Sequence, residues 1–181
     1  TPGVAVATDT VVTLTGVTAL TAADLLLGAQ GAGNTVVLAA NPQVSTTASN
    51  ATDSTKTTAK DDTITAASAA KLVGAAAAIT GGLGTDSITA SVAVADLATL
   101  DLTTAGAIGT GDTTGGVALT GVENLTINVT DTSGGTVTVN NIPTDVASLA
   151  VNGVNSAVAA TITAAGQTIS TNNSTIGGNA S

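Results

Sequence analysis

The chain is expected to be all-β, a β-sandwich or an irregular β-solenoid with one or two short helices. Two observations support this. Short segments rich in Val, Ile and Thr recur between Gly, Asn and Asp turn signals. Several of them also repeat internally. Asp62-Thr-Ile-Thr-Ala66 returns as Asp86-Ser-Ile-Thr-Ala90, and without its acid as Ala160-Thr-Ile-Thr-Ala164. Leu14-Thr-Gly-Val17-x-x-Leu20 returns as Leu119-Thr-Gly-Val122-x-x-Leu125. Such echoes suggest degenerate strand–turn units that bury a face only by stacking on their neighbours.

Along the chain, Val4–Leu14 alternates loosely and reads as one or two strands. Thr21 to Gly28 reads as a short helix, with Thr21 as N-cap, Asp24 near the positive end of the dipole and Gly28 as the stop. Asn34 to Ala39 is a short apolar strand. Asn41 to Lys60 contains one Val and no Leu or Ile, and reads as a polar Ser/Thr loop. It is the best internal boundary. Residues 1–60 form an N-terminal strand, helix and loop segment and residues 61–181 a β-rich domain, unless the two are continuous. Asp62–Ala66 is a strand, and the Ala-rich run 66–79 has the strongest helical composition, weakened by Gly74. A turn-rich stretch to Asp86 leads into a strand over Ser87–Val94. Residues 96–103 fit helix or strand, and 105–116 reads as a Gly/Thr loop. From Val117 onward the pattern is strands: 117–119, 125–129, 136–139, 149–151, 158–163 and 168–169.

Composition excludes much chemistry. The 181 residues include no Phe, Trp, Tyr, Cys, Met, His or Arg. Nucleophile systems that need His or Cys are therefore absent, as are zinc fingers, haem and iron–sulfur ligation. Without aromatics there is no stacking platform for bases or sugars. Twelve Asp and Glu against three Lys give a net charge of −9, which argues against a nucleic-acid partner. No apolar run is long enough to span a membrane. The start, Thr1-Pro2-Gly3, has neither a basic nor an apolar leader region, so the chain reads as a mature form, a piece of something longer, or a substrate of a system reading a C-terminal signal. Freedom from Cys and Met removes the oxidation-sensitive side chains and fits bulk export to a bacterial surface.

One motif could carry chemistry. Gly81-Gly82-Leu83-Gly84-Thr85-Asp86-Ser87-Ile88-Thr89 fits the nonapeptide G-G-x-G-x-D-x-U-x at every defined position. Its glycines permit a tight turn and Asp86 supplies a hard oxygen ligand. Asp86, Gly82, Gly84 and Asp62 are therefore the candidate calcium residues. Calcium takes six to eight oxygens, so one copy is not a full site. Asp61 and Asp62 are adjacent and face opposite sides of a strand, so they do not form a catalytic dyad. Asp96 and Asp101 could approach other acids only through the fold; a glycosidase pair there is disfavoured because sugar sites rely on aromatic platforms, and no enzyme is expected. The sequons at Asn50, Asn124, Asn128, Asn172, Asn173 and Asn179, and the Thr46–Thr58 loop, are the candidate glycan positions.

Asp61-Asp62-Thr63-Ile64-Thr65, the Gly81–Ile88 turn and strand, and Leu119-Thr-Gly-Val122-Glu123-Asn124-Leu125-Thr-Ile127 together resemble bacterial surface-layer proteins and large adhesins of the RTX-related type. The match covers about residues 61–140, and the tandem nonapeptides usual in that family are missing. The resemblance implies an extracellular, calcium-associated protein of the bacterial exterior. The expected function is self-assembly into a surface layer or filament. Val4–Leu14 would donate a strand to a neighbouring copy, with a cell-surface polysaccharide as a further partner. The alternative is a calcium-binding adhesin module of a longer secreted protein.

Overall fold

The structure, a computed structural model, describes residues 32–176 apart from positions 48, 50–54, 132–134, 154–157, 163–167 and 173. The strand expected over Val4–Leu14, the helix at Thr21–Gly28 and the Leu14 echo lie outside the described residues.

Fourteen strands and one four-residue helix are described. Strands β1 (Ala32–Val37), β3 (Asp61–Ala66), β5 (Ser87–Val92), β9 (Asn124–Val129), β11 (Ser148–Gly153) and β13 (Thr168–Asn172) form a six-stranded sheet in that order. Between visits to this sheet the chain crosses to an opposite wall. Three of these strands, β2 (Gln43–Val44), β4 (Ala78–Thr80) and β8 (Ala118–Thr120), make a three-stranded sheet. The others make a five-stranded sheet: β6 (Thr99–Asp101), β7 (Thr114–Gly116), β10 (Gly135–Asn140), β12 (Val158–Ile162) and β14 (Ser174–Ile176). Every pairing between named strands is parallel. Parallel neighbours need a crossover. Here most crossovers carry strands of the opposite wall, so the chain winds as an irregular solenoid and not as an antiparallel sandwich. The sheets do not close into a barrel.

The 24-residue echo is a literal stacking register. Thr63 pairs with Ser87, Ile64 with Ile88, Thr65 with Thr89 and Ala66 with Ala90. Ile88 then pairs with Leu125, and Leu125 with Leu149. Val36, Ile64, Ile88, Leu125 and Leu149 thus make one inward column, each at most 1% exposed. Stacked aliphatic columns let small side chains bury area in common, at about 25 cal/mol per Å². The Ala160 echo does not belong to this column. It lies in β12 of the five-stranded sheet, where Ala160 pairs with Val137.

Two expectations are corrected and one open choice, helix or strand over 96–103, is resolved. The helix expected over 66–79 is confined to α1 (Ala69–Leu72), and Ala78–Thr80 is a strand. Helical propensity is a weak bias against tertiary pairing. Gly74 bridges to Gly106, and the Ala76 N–H donates to Asn41 Oδ1 at 2.8 Å, tying the chain down for β4. Residues 96–103 contain strand β6. The loop over 105–116 ends in strand β7, where a Cβ on Gly116 would stand 2.0 Å from the Thr104 carbonyl oxygen. β1, from the segment before residue 60, pairs with β3 in the same sheet.

Candidate functional site

The Gly81–Asp86 turn leads into β5. Gly82 and Gly84 have φ of +117° and +121°, a region L side chains rarely adopt. A Cβ on Gly82 would also stand 2.3 Å from the Thr58 carbonyl oxygen, and one on Gly84 2.6 Å from the Lys60 carbonyl carbon. The two glycines let this turn nest against the preceding coil.

Asp62 and Asp86 are buried at 1% and 0% exposure. They occupy equivalent positions in consecutive coils, 24 residues apart. The Asp62 N–H donates to Asp86 Oδ1 at 2.7 Å, and the Asp86 N–H donates to Glu123 Oε2 at 2.6 Å. In the preceding coil the Asn34 N–H donates to Asp62 Oδ1. The Thr58 N–H donates to Asp62 Oδ2 at 2.7 Å, and the Thr58 hydroxyl bonds the same carboxylate. Apart from the local Thr58 cap, one rule covers this series: a carboxylate accepts the amide of the residue stacked beneath it in the previous coil. The Val94 N–H to Asp131 and the Gly121 N–H to Asp145 (2.9 Å) obey the same rule at other bends. At strand starts, where the chain turns and ladder bonds are lost, these acids satisfy backbone donors.

Three stacked segments therefore share one pattern, acid–polar–aliphatic–Thr: Asp62-Thr-Ile-Thr65, Asp86-Ser-Ile-Thr89 and Glu123-Asn-Leu-Thr126. The motif reading singled out Asp62 and Asp86. It does not mark Glu123 as a member of the same column, or Thr58 as a local cap four residues before Asp62. The spacing of Glu123, 37 residues after Asp86, hid the equivalence, because the excursion through β6 and β7 lengthens that coil.

Asp86 differs from Asp62 in one respect. Its Oδ2 is buried without a hydrogen-bond partner. That oxygen and the Gly121 carbonyl oxygen converge on Gly81, whose Cβ, if it had one, would stand 2.4 Å from the first and 1.8 Å from the second. Burial raises the Asp86 carboxyl to about 6. The Asp62 N–H opposes that shift, and the neighbouring carboxylates of Asp62, Glu123 and Asp61 add to it. Asp101 is the counter-case. Burial pushes its carboxyl up, but the N–H groups of Thr103 and Thr104, the Thr103 hydroxyl and the Asn141 amide outweigh that and leave it below the usual carboxylate value.

The donor set fits calcium poorly. Asp62 has both oxygens engaged by protein donors and Asp86 has one, leaving Asp86 Oδ2 where calcium asks for six to eight oxygens. Among the described residues no three acidic side chains are grouped to hold a metal ion. The residues do what backbone caps do: they end strands, fix register and hold the turn against its neighbours.

No family model, curated protein or solved structure matches the chain.

Proposed function

We propose that the chain is a structural protein of the bacterial cell exterior that self-assembles into a surface layer or filament, and that it is not an enzyme. One observation carries the reading: among the described residues the solenoid is open, with β1 and β13 as the outermost strands of the parallel six-stranded sheet. Parallel coils add in one direction, so a head-to-tail contact continues the stack without closing it. Strand addition is the matching mode of contact, with residues 4–14 as donor. The composition, without oxidisable side chains and with three Lys as the basic residues, suits a protein exposed outside the cell.

Each copy carries −9, so assembly concentrates negative charge within a Debye length of about 8–10 Å. Divalent cations bridging exposed carboxylates of neighbouring copies would relieve it. The test is light scattering and electron microscopy of the purified chain through chelator and calcium titrations, with and without residues 1–14. Concentration-dependent polymers that shorten in chelator, and monomers after deletion, are expected. A full-length chain that stays monomeric at all concentrations overturns the reading. Polymers indifferent to calcium remove the bridging role alone. The adhesin-module alternative rests on the Gly81–Asp86 turn. It requires a calcium-dependent melting shift that Asp86→Ala abolishes.

A further inference from the structure

Asp62 and Asp86 occupy equivalent places in consecutive coils, yet one carboxylate is fully satisfied and the other is not. Both Asp62 oxygens accept protein donors, and the local ones come from Thr58, four residues earlier. The residue four before Asp86 is Gly82, which has no hydroxyl and takes a φ of +117°. No N–H or hydroxyl reaches Asp86 Oδ2, and the residue is wholly buried. The change from Thr58 to Gly82 therefore removes a donor from the second bend and puts no other in its place.

What faces Asp86 Oδ2 is a second acceptor. A Cβ on Gly81 would stand 2.4 Å from that oxygen and 1.8 Å from the Gly121 carbonyl oxygen, so the two oxygens lie side by side against the glycine. The Gly121 carbonyl accepts from no described residue. Gly81 is itself buried, and its N–H is already given to the Thr120 carbonyl at 2.9 Å. Two unsatisfied acceptors pressed together away from water repel each other unless a proton lies between them. The surrounding charges act in the same sense. Asp61 and Asp62 approach from β3 and Glu123 from the bend before β9, and all three disfavour a negative charge on Asp86. Asp145, from the bend before β11, holds the Gly121 N–H. Lys60 packs on the turn through its backbone, at Gly84.

We infer that Asp86 is held as a carboxylic acid whose Oδ2–H donates to the Gly121 carbonyl, forming a proton-operated latch between the bend before β5 and the bend before β9. Asp86 Oδ1 meanwhile keeps the Asp62 N–H, so one side chain ties three consecutive coils together. A proton thus joins the two oxygens where the calcium ion suggested by the motif does not fit. Loss of that proton leaves a carboxylate facing a carbonyl and three acids, and the two bends part. The latch is closed in acid and open above neutrality. It works within a single chain and does not depend on self-assembly.

The test follows single residues of the full chain by NMR, below the concentration at which it scatters light. The Asp86 carboxyl carbon should keep its protonated shift at pH 5 and change near 6. Hydrogen exchange is read as protection, with the intrinsic pH dependence removed. Between pH 5 and 7.5, protection of the Gly81 and Glu123 amides, which bond across the two bends, should fall by at least about fivefold. The Thr130 amide bonds Val92 at the far end of the same two strands and should keep its protection. Asp86→Asn carries a permanent donor for Gly121 and an acceptor for the Asp62 N–H, so it should hold both bends protected at both pH values. An Asp86 already ionised at pH 5 overturns the inference. So does wild-type protection that stays constant across the range, or protection that calcium restores at pH 7.5. If Asp86→Asn loses its fold, the wild-type carboxyl titration and exchange decide.

Discussion

The two walls of the solenoid are built on different terms. The six-stranded wall is one sheet from end to end, and its inward column never leaves register from Val36 to Leu149. The opposite wall is broken. It begins as the three-stranded sheet and continues as the five-stranded one, changing over in the coil that holds β6, β7 and β8. That coil separates Asp86 from Glu123 by 37 residues, against 24 for the coils on either side. The added residues form the β6–β7 excursion. The continuous wall shows that register can survive an insertion placed entirely on the other side. The insertion instead costs the broken wall its continuity.

The largest expected effect contrasts the two walls directly. Leu125→Ala removes the middle of the continuous inward column and should cost about 3 kcal/mol. Leu119→Ala, in the last strand of the three-stranded sheet and 6% exposed, has neighbours on one side in its sheet and should cost about 2 kcal/mol. Chemical denaturation of both variants checks the order. Equal losses would mean the continuous wall contributes no extra packing.

The legibility of the sequence divides along the same line. Asp62–Ala66 and Asp86–Ala90 read as an echo because the coil between them carries no insertion, so the same letters stack at the same height. Glu123 belongs to that series but was masked by the longer coil and by the change from Asp to Glu. The Ala-rich run after β3 read as helix because local propensity speaks for Ala. What makes Ala78–Thr80 a strand is its position between β2 and β8, a tertiary fact with no local signature. The glycines of the turn are legible as such, and Gly82 and Gly84 do take positive φ. The role of Asp86 as an amide acceptor, beside the metal-ligand role its motif suggests, needed the identity of the residue stacked on it.

Asp86→Ala sharpens the contrast at the bend. It strands the Asp62 N–H in a buried place and should cost about 2 kcal/mol. Asp112→Ala, whose carboxylate accepts exposed amides of Thr113 and Thr114 in the excursion, should stay within about 0.5 kcal/mol. Comparable losses at the two sites would mean that burial of the accepted amide is not what matters.

The pH dependence of the same carboxyl has a definite sign. The folded value of Asp86, about 6, lies above the ordinary 3.8, so the folded chain holds an extra proton between those values. This group's contribution to stability therefore rises as pH falls from 7 towards 4. Asp101, shifted the other way, contributes stability above its ordinary value that is lost as pH falls below it. Wild type should melt higher near pH 5 than near pH 7. Asp86→Asn should flatten the difference while still accepting the Asp62 N–H. A wild-type melting curve that falls steadily from pH 7 to 5 would show that Asp86 ionises like an exposed carboxylate.

The smallest effect comes from extending the column of acids by one coil. Ala147 stacks on Glu123 and is exposed. Ala147→Asp would place a carboxylate where the pattern breaks off. The column beneath it, however, has no amide to offer. The Glu123 N–H already donates to the Asp86 carbonyl oxygen at 3.1 Å, and the Ala147 N–H donates to the Glu123 carbonyl oxygen at 2.9 Å. A new carboxylate would meet a neighbouring carboxylate and no unsatisfied donor. Stability should change by no more than about 0.5 kcal/mol, on the unfavourable side, and more at low salt than at high. The series ends at Glu123, on this account, because its backbone amide is satisfied without another acid. A gain of about 1 kcal/mol from Ala147→Asp would break that account and leave the acids to be explained by something other than amide capping.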